Sequence, residues 1–497
     1  MNHLKRLSLL TFILSLILLF ASIKGDANSF SRNSSFTDAS TGSPFESSSS
    51  SSRYVLTQAL FKSRSFLLTR DQAKFASPDV AEHNGKYFTL FMPGISFMGL
   101  PFYILGSIVG LPQLGTFSLN FWLAIINVFL VAALAKRLGA SWSWSLLGGF
   151  LFLFGSNAWA YALTYSQHHL AVFATISLLL ISTHSLTVKN NLLFGIIFGI
   201  ALLADFPNPI ILSPIAVYQL SRHFHFHRNK INWSWLFMGA GVLPFLVIFA
   251  YYNLKTTGSP LLSAQFVGRS KEFNVATSVP AETKSVPEVR SPGLHLPLKS
   301  RSLIRGFSIL IFSDERGWIY YSPMVLVGII GLVLTLKKNS SNPVPNLIFA
   351  AICFNLLIYA MFGDPWGGWS FGPRYLIPAT AMISVFIPVF MQKYGKNVLV
   401  MSGFLVACVL SIRLATLAAL TTAHVPPKQG AEALPVPIPH TPKLNSNFLA
   451  ANKSSSLIYN LSFKNQMPAN TYYKLVFALA LITFVTLTGF AVNSKRV

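Results

Sequence analysis

GISFMGLPFYILGSIVGL, Gly94 to Leu111, decides how this chain is drawn. If the stretch crosses a bilayer, every loop after it changes sides; if it does not, the charges sort cleanly. The composition already calls for a membrane: of 497 residues 52% are hydrophobic, 14% aromatic and only 10% charged, with a mean hydropathy of +0.54. A helix needs roughly 20 apolar residues to span the hydrocarbon core. Runs of that kind fall near 7–23, 115–135, 143–162, 169–187, 190–205, 207–221, 234–253, 319–336, 345–362, 375–391, 398–416 and 474–493. The expected fold is therefore all-α and polytopic, with about 12 transmembrane helices. Pro207 and Pro209 make "LLADFPNPIIL" a hairpin tip, because proline cannot continue a helix and Asp205 is costly at mid-bilayer.

With Gly94–Leu111 left out of the spans as a re-entrant or interfacial helix, the loops "AKRLGAS", "TVKNN", "SRHFHFHRNKINW", "LKKNSSN", "QKYGKN" and the tail "SKRV" fall on the side of "HLKR". All are basic, as short cytoplasmic loops are. All 14 Asp and Glu residues then fall on the outer side. Counting the stretch as a span would place Lys136 and Arg137 outside and invert the rest. Both termini are thus expected in the cytoplasm. The net charge of +24 reads as topology signals and attraction to anionic membrane lipid; spread over many short loops, it does not read as a nucleic-acid surface.

The chain divides into a signal anchor (1–23), a Ser-rich linker (24–52), a first outer loop with interfacial helices (53–114), a multi-span core (115–416), an outer Pro-rich loop (417–473) and a last helix with a basic tail (474–497). The run from Leu7 to Ile23 is long for a signal core, so it is expected to be retained rather than cleaved near Gly25–Ala27. The serine stretch has too few apolar residues to fold on its own. Cys353 and Cys408 lie in predicted spans and suggest neither a disulfide nor a metal site. "HFHFH", His223–His227, reads as a basic cytoplasmic loop.

Five stretches in order, "RYVLTQALFKSRSFLLTRDQ", "DVAEHNGKYFTLFMPGISFMGLPFYILG", "YYNLKTTGSPL", "DERGWIYYSPMVLVGIIGL" and "WGGWSFGPRYLIP", resemble C-type (GT-C) membrane glycosyltransferases, nearest to the group similar to dolichyl-phosphate-mannose protein mannosyltransferases. The likeness spans roughly Arg53 to Pro378. It implies a sugar donor linked to a lipid phosphate, an inverting transfer to an acceptor hydroxyl, and an active site on the outer face around an acidic residue of the first outer loop. Many relatives carry paired acids soon after the first span, whereas here Asp26 stands alone and "SSSRYVLTQ" has none.

That leaves Asp79, Asp71 and Glu82 as candidate bases, since a positioned carboxylate can take the acceptor's proton. The alternative for Asp79 is a helix cap, and for Asp71 a surface pair with Arg70 or Lys74. Arg374 in "FGPRY", and after it Arg316 in "SDERGW", are candidates for the donor phosphate, because a planar guanidinium grips phosphate oxygens two at a time. His168, His169, Trp369, Lys86 and Tyr87 are candidate substrate contacts. No cofactor is identified: a divalent metal is compatible with the chemistry, but no ligand spacing indicates one, and no metal site is assigned. The acceptor is open among glycan, lipid and protein. Competing readings are a transporter or flippase for lipid-linked saccharides and an inactive relative that only binds them; a transporter would be expected to show two similar halves and acids at mid-bilayer.

The sidedness is testable. In intact cells an impermeant thiol reagent should label Ser77→Cys and not Ser340→Cys, and the reverse pattern would overturn the topology.

Overall fold

The computed structural model describes residues 3–25, 40–225, 230–273, 303–338 and 342–493. Asp26, the serine stretch up to Ala39, residues 274–302, His227 and Ser340 lie outside them. The architecture is helical, and the described residues form just two small antiparallel hairpins, Val80–His83 with Lys86–Thr89 and Phe224–His225 with Lys230–Ile231. Six helices are long and apolar enough to cross a membrane: Leu4–Ser22, Pro112–Arg137, Trp233–Thr257, Val344–Met361, Val398–Leu420 and Ala469–Asn493. The bent pair Arg374–Ser384 and Phe386–Tyr394 makes a seventh. The other five expected spans are the helices Trp142–Phe154, His168–Ser182, Val188–Ala204, Asn208–Ser221 and Val325–Lys337, of 13, 15, 17, 14 and 13 residues. Each falls short of the roughly 20 residues a lone span needs, so length supports seven of the twelve.

The Trp142–Phe154 helix is the centre of the bundle. Every residue from Ser143 to Phe154 is buried, against Pro112–Arg137, Phe386–Tyr394 and Ala469–Asn493. A helix apolar all round is what such a position demands. The first helix instead shows Leu4, Leu9, Ile13 and Phe20 at its surface, as a lipid-facing stripe does. It is tied in by Trp142 Nε1, which donates to Ser8 Oγ (2.8 Å), and by Trp159 Nε1, which donates to Ser22 Oγ (2.9 Å).

The Gly94–Ile108 helix packs against Ser48–Lys62, Pro112–Arg137 and Val188–Ala204. Its first turn abuts the Leu203 carbonyl and receives the Tyr165 hydroxyl on the carbonyl of Ile95 (2.8 Å). Its last turn packs beside Gly115, within two turns of Asn120, whose Nδ2 donates to the carbonyls of Thr164 (2.5 Å) and Ser166 (2.8 Å). Both ends thus lie at one end of the bundle. The four long loops gather at that end, where Ala81 pairs with Arg269, Glu46 meets Thr422, and Arg316 meets Trp366 and Val425. The short basic loops meet at the other end: Gln392 bonds Ser141 and Gly139, and Arg222 Nη2 donates to the His184 carbonyl (2.7 Å).

The linker expected over 24–52 is overturned in its described part. Ser48 to Ser52 are the first turns of a helix, Ser48–Lys62, and Ser49 to Ser52 are all buried. Serine is only a modest helix former, but here tertiary bonds decide. Ser48 Oγ donates to Asp79 Oδ2 and Ser52 Oγ to the Asp79 carbonyl, both at 2.6 Å.

The approach of Gly94–Ile108 to Pro112–Arg137 depends on glycine. A Cβ at position 115 would stand 2.5 Å from the Phe102 carbonyl oxygen and 2.6 Å from Gly106 Cα. Gly115→Val should therefore lower stability by about 1–3 kcal/mol, the usual range for overpacking, measured as thermal unfolding in detergent. An unchanged melting temperature would contradict this packing.

Candidate active site

Glu46 follows Pro44 and Phe45 and is only 5% exposed. Its Oε1 accepts from Lys24 Nζ and from the Ala423 amide (2.9 Å); its Oε2 accepts from the Gly42 amide (2.7 Å) and the Thr422 hydroxyl. Burial opposes its ionisation, but the Lys24 charge, the hydrogen bonds from Lys24 and Thr422, and His424 outweigh it and hold the carboxyl below its ordinary range. His424 stacks on Trp369 with ring centroids 4.8 Å apart. Burial brings its imidazole down to about 4 against the pull of Glu46, so it is neutral at pH 7.

Arg53 sits a turn into the serine helix, 1% exposed, with its guanidinium 3.9 Å over the Phe91 ring and Nη1 donating to the Ser49 carbonyl (2.9 Å). Burial brings it down to about 10, so it stays charged; Asp205 and Asp79 favour that charge and Arg374 opposes it. Asp205 ends the Val188–Ala204 helix at the proline tip. Its Oδ2 accepts from Gln167 Nε2 (2.9 Å) and its Oδ1 from the Phe206 amide (3.1 Å), within electrostatic reach of Arg53 and Arg374.

Arg374 leaves the loop Gly363–Pro373, where Gly367, Gly368 and Gly372 take left-handed φ of 70°, 64° and 61°. A Cβ on Gly367 would stand 3.0 Å from Arg374 Nε, so glycine there leaves room for the guanidinium. Nε of Arg374 is shut away from solvent and finds no hydrogen-bond partner among the described residues. Arg316 differs. Its Nε donates to the Trp366 carbonyl (2.8 Å), Nη1 to Glu315 (2.6 Å), and Nη2 to Gly368 (3.0 Å) and Val425 (2.9 Å). It braces the glycine loop against the last long loop, with four of its five N–H donors on carbonyls.

A narrow gap of about 10 Å³, room for one water, lies between these parts. The first long loop and serine helix contribute Glu46, Ser47, Ser49 and Ser50; the break before His168 contributes Tyr161, Thr164 and Ser166; the later loops contribute Trp369, Arg374 and Ala423. Two of the expected site residues, Arg374 and Trp369, are therefore brought together. His168, 4% exposed, faces the charges of both Arg374 and Arg53 beside the Tyr161 ring. His169 is turned into the core, its Nε2 bonded to the Ala158 carbonyl (2.8 Å) while Asn127 Nδ2 donates to its own carbonyl (2.9 Å).

The expected bases lie elsewhere. Asp79 is clasped by Ser48 and by Arg269 Nη2, which donates to Oδ1 at 2.9 Å. Glu82 accepts from Ser270 Oγ (2.6 Å), and Asp71 is exposed in the first turn of a helix capped by Thr69 and Gln72. Lys86 is exposed at the hairpin turn and Tyr87 bonds Glu272. Glu46, Arg53 and Asp205 were not among the expected site residues. An acid inside an apolar run was a usable signal for Asp205; nothing local marks Glu46 or Arg53. Among the described residues no group of His, Cys, Asp and Glu could hold a metal ion.

No protein-family model matches this sequence, and no curated protein matches it. Solved structures do resemble the fold. The crystal structure of ArnT from Cupriavidus metallidurans bound to undecaprenyl phosphate aligns with a TM-score of 0.50 at 12% identity, over 97% of this chain and 77% of that one. The Archaeoglobus fulgidus oligosaccharyltransferase, in complex with Zn and sulfate, aligns with a TM-score of 0.50 at 14% identity, over 85% of this chain and 54% of that one. The chain thus shares its polytopic helical fold with these two structures.

Proposed function

We propose that this protein is a membrane glycosyltransferase that moves a sugar from a polyprenyl-phosphate donor to an acceptor hydroxyl, at the end of the bundle where the long loops gather and on the outer side of the membrane. The observation that carries this reading is a narrow gap lined by both a carboxylate, Glu46, and a half-buried guanidinium, Arg374, whose Nε has no hydrogen-bond partner among the described residues. The fold shared with a protein crystallised with undecaprenyl phosphate supports a donor of that class.

Glu46 is the better-supported candidate base, in place of Asp79. A base must be ionised and within reach of the acceptor, and Glu46 is held ionised beside the gap, while Asp79 is occupied between two loops. The Thr422 hydroxyl already makes to Oε2 the bond an acceptor hydroxyl would make. On displacing it, the acceptor gives its proton to Glu46 as its oxygen bonds the anomeric carbon. The bond from that carbon to the phosphate oxygen breaks, and the lipid phosphate leaves with the electron pair, its charge met by Arg374. A single displacement of this kind inverts the anomeric centre.

The test is release of lipid phosphate from a panel of polyprenyl-phosphate sugars by purified protein. Glu46→Gln alone should fold poorly, because it strands a buried Lys24; breaking a buried pair typically costs about 3–5 kcal/mol. The double variant Lys24→Met with Glu46→Gln removes both charges, so it should recover stability while turnover stays down by about 10²- to 10⁴-fold. Asp79→Asn should lower stability and leave turnover in the folded fraction near normal. A well-folded double variant with full turnover would remove Glu46 from the mechanism, and loss of turnover in Asp79→Asn alone would return the base to Asp79.

A further inference from the structure

The first helix, Pro112–Arg137 and Ala469–Asn493 leave an apolar groove of about 680 Å³ between them. Ile17, Phe20, Trp122 and Leu475 line it and are exposed, so it opens sideways onto the surface of the spans. Its volume falls within the roughly 300–1,000 Å³ usual for small-molecule sites. Only two of its lining side chains, Trp122 and Tyr472, carry a polar atom, and the Tyr472 hydroxyl is engaged on the Ala21 carbonyl (2.7 Å). Ordered water needs several polar partners; this surface suits hydrocarbon.

The groove is confined to the loop-bearing half of the bundle. On the last helix it runs from Tyr472, in the first turn, to Leu479, and on the first helix it takes the final turns, Leu16 to Ala21. Tyr472 and Leu479 are seven positions apart, about 10 Å along a helix, against a hydrocarbon core of roughly 30 Å. A partner's crossing helix needs a seam along the whole span, whereas the chain of a lipid in one leaflet does not. Ile458 and Phe463 bound the groove at the loop end, and Lys464, next after Phe463, is exposed and makes no ion pair among the described residues. From Ala433 to Val497 the chain has no Asp or Glu, so nothing near in sequence offsets that lysine. The short basic loops that sort topology meet at the opposite end of the bundle, so Lys464 is not one of those signals.

We propose that the groove holds one hydrocarbon chain of an anionic phospholipid from the leaflet at the loop-bearing end, with Lys464 meeting its phosphate. The chain fills the seam between the first and last helices. It also supports the candidate site from behind, because the first helix continues into Lys24, whose backbone pairs with Ser456 and whose Nζ pairs with Glu46. The groove shares no lining residue with the gap beside Glu46, and the proposal does not rest on the transferase reading.

The test is native mass spectrometry of the delipidated full-length protein in detergent, titrated with phosphatidylglycerol, phosphatidylcholine and undecaprenyl phosphate. The wild type should retain one phosphatidylglycerol at least tenfold more tightly than phosphatidylcholine. Leu475→Trp and Ile17→Trp fill the groove from two different helices at exposed positions, so each should lose tenfold or more of that binding while melting no lower than wild type in lipid-free detergent. Lys464→Gln should bring phosphatidylglycerol to within about threefold of phosphatidylcholine, and Lys443→Gln, at an exposed lysine elsewhere in the acid-free stretch, should keep the preference. Equal retention of the two phospholipids by the wild type, or full phosphatidylglycerol binding in either tryptophan variant, would overturn the proposal. Displacement of phosphatidylglycerol by equimolar undecaprenyl phosphate would overturn it in favour of the donor's tail, and a dimer split by Leu475→Trp would overturn it in favour of a second copy of the chain.

Discussion

A carboxylate taken out of water must be answered by charge and hydrogen bonds together, and at Glu46 this requirement organises the loop-bearing end of the molecule. Each donor it collects comes from a different place in the chain: Lys24 beyond the first helix, Gly42 ahead of the serine helix, Thr422 and Ala423 after the helix Val398–Leu420. Idealised burial of such a pair costs more than its attraction returns unless the remaining lone pairs are filled, and here both oxygens are. The first helix, the first loop and the last long loop are thereby drawn to one point, and the gap is the space left beside it.

The other charged groups at this end divide by whether their donors and acceptors are used up. Arg316 is used up on four carbonyl contacts, and Asp79 on Ser48 and Arg269; both fix loops. Asp364 binds its own loop at the Gly368 amide (2.6 Å). Arg374 retains an Nε without a hydrogen-bond partner among the described residues, in a position opened by Gly367. Residue type alone would have treated Arg316 and Arg374 alike; their hydrogen bonds separate them.

Much of the fold was legible because bilayer and core both select apolar runs, and each expected span does contain a helix. The serine helix was not legible: its stability lies in bonds to Asp79 and Thr89, residues 27 to 37 positions away, which no local pattern announces. For the same reason Glu46 passed as part of a linker, while Asp79, with a proline and a helix start beside it, looked like a site. Spacing singled out Arg374, which the structure brings beside Glu46 and Trp369. It could not identify the acid, because partners hundreds of residues apart define what a buried carboxylate does.

The ties at Glu46 also impose an order of assembly. Lys24 and Glu46 are 22 positions apart and can meet as soon as the first helix has been inserted, whereas Thr422 and Ala423 lie 376 and 377 positions beyond Glu46. During synthesis the carboxylate therefore waits, half answered, while most of the chain enters the membrane, and the gap acquires its far wall only when the last long loop arrives. A chain cut short before Thr422 would carry the first loop and Arg374 together and still lack the wall that Thr422 and Ala423 supply beside Glu46.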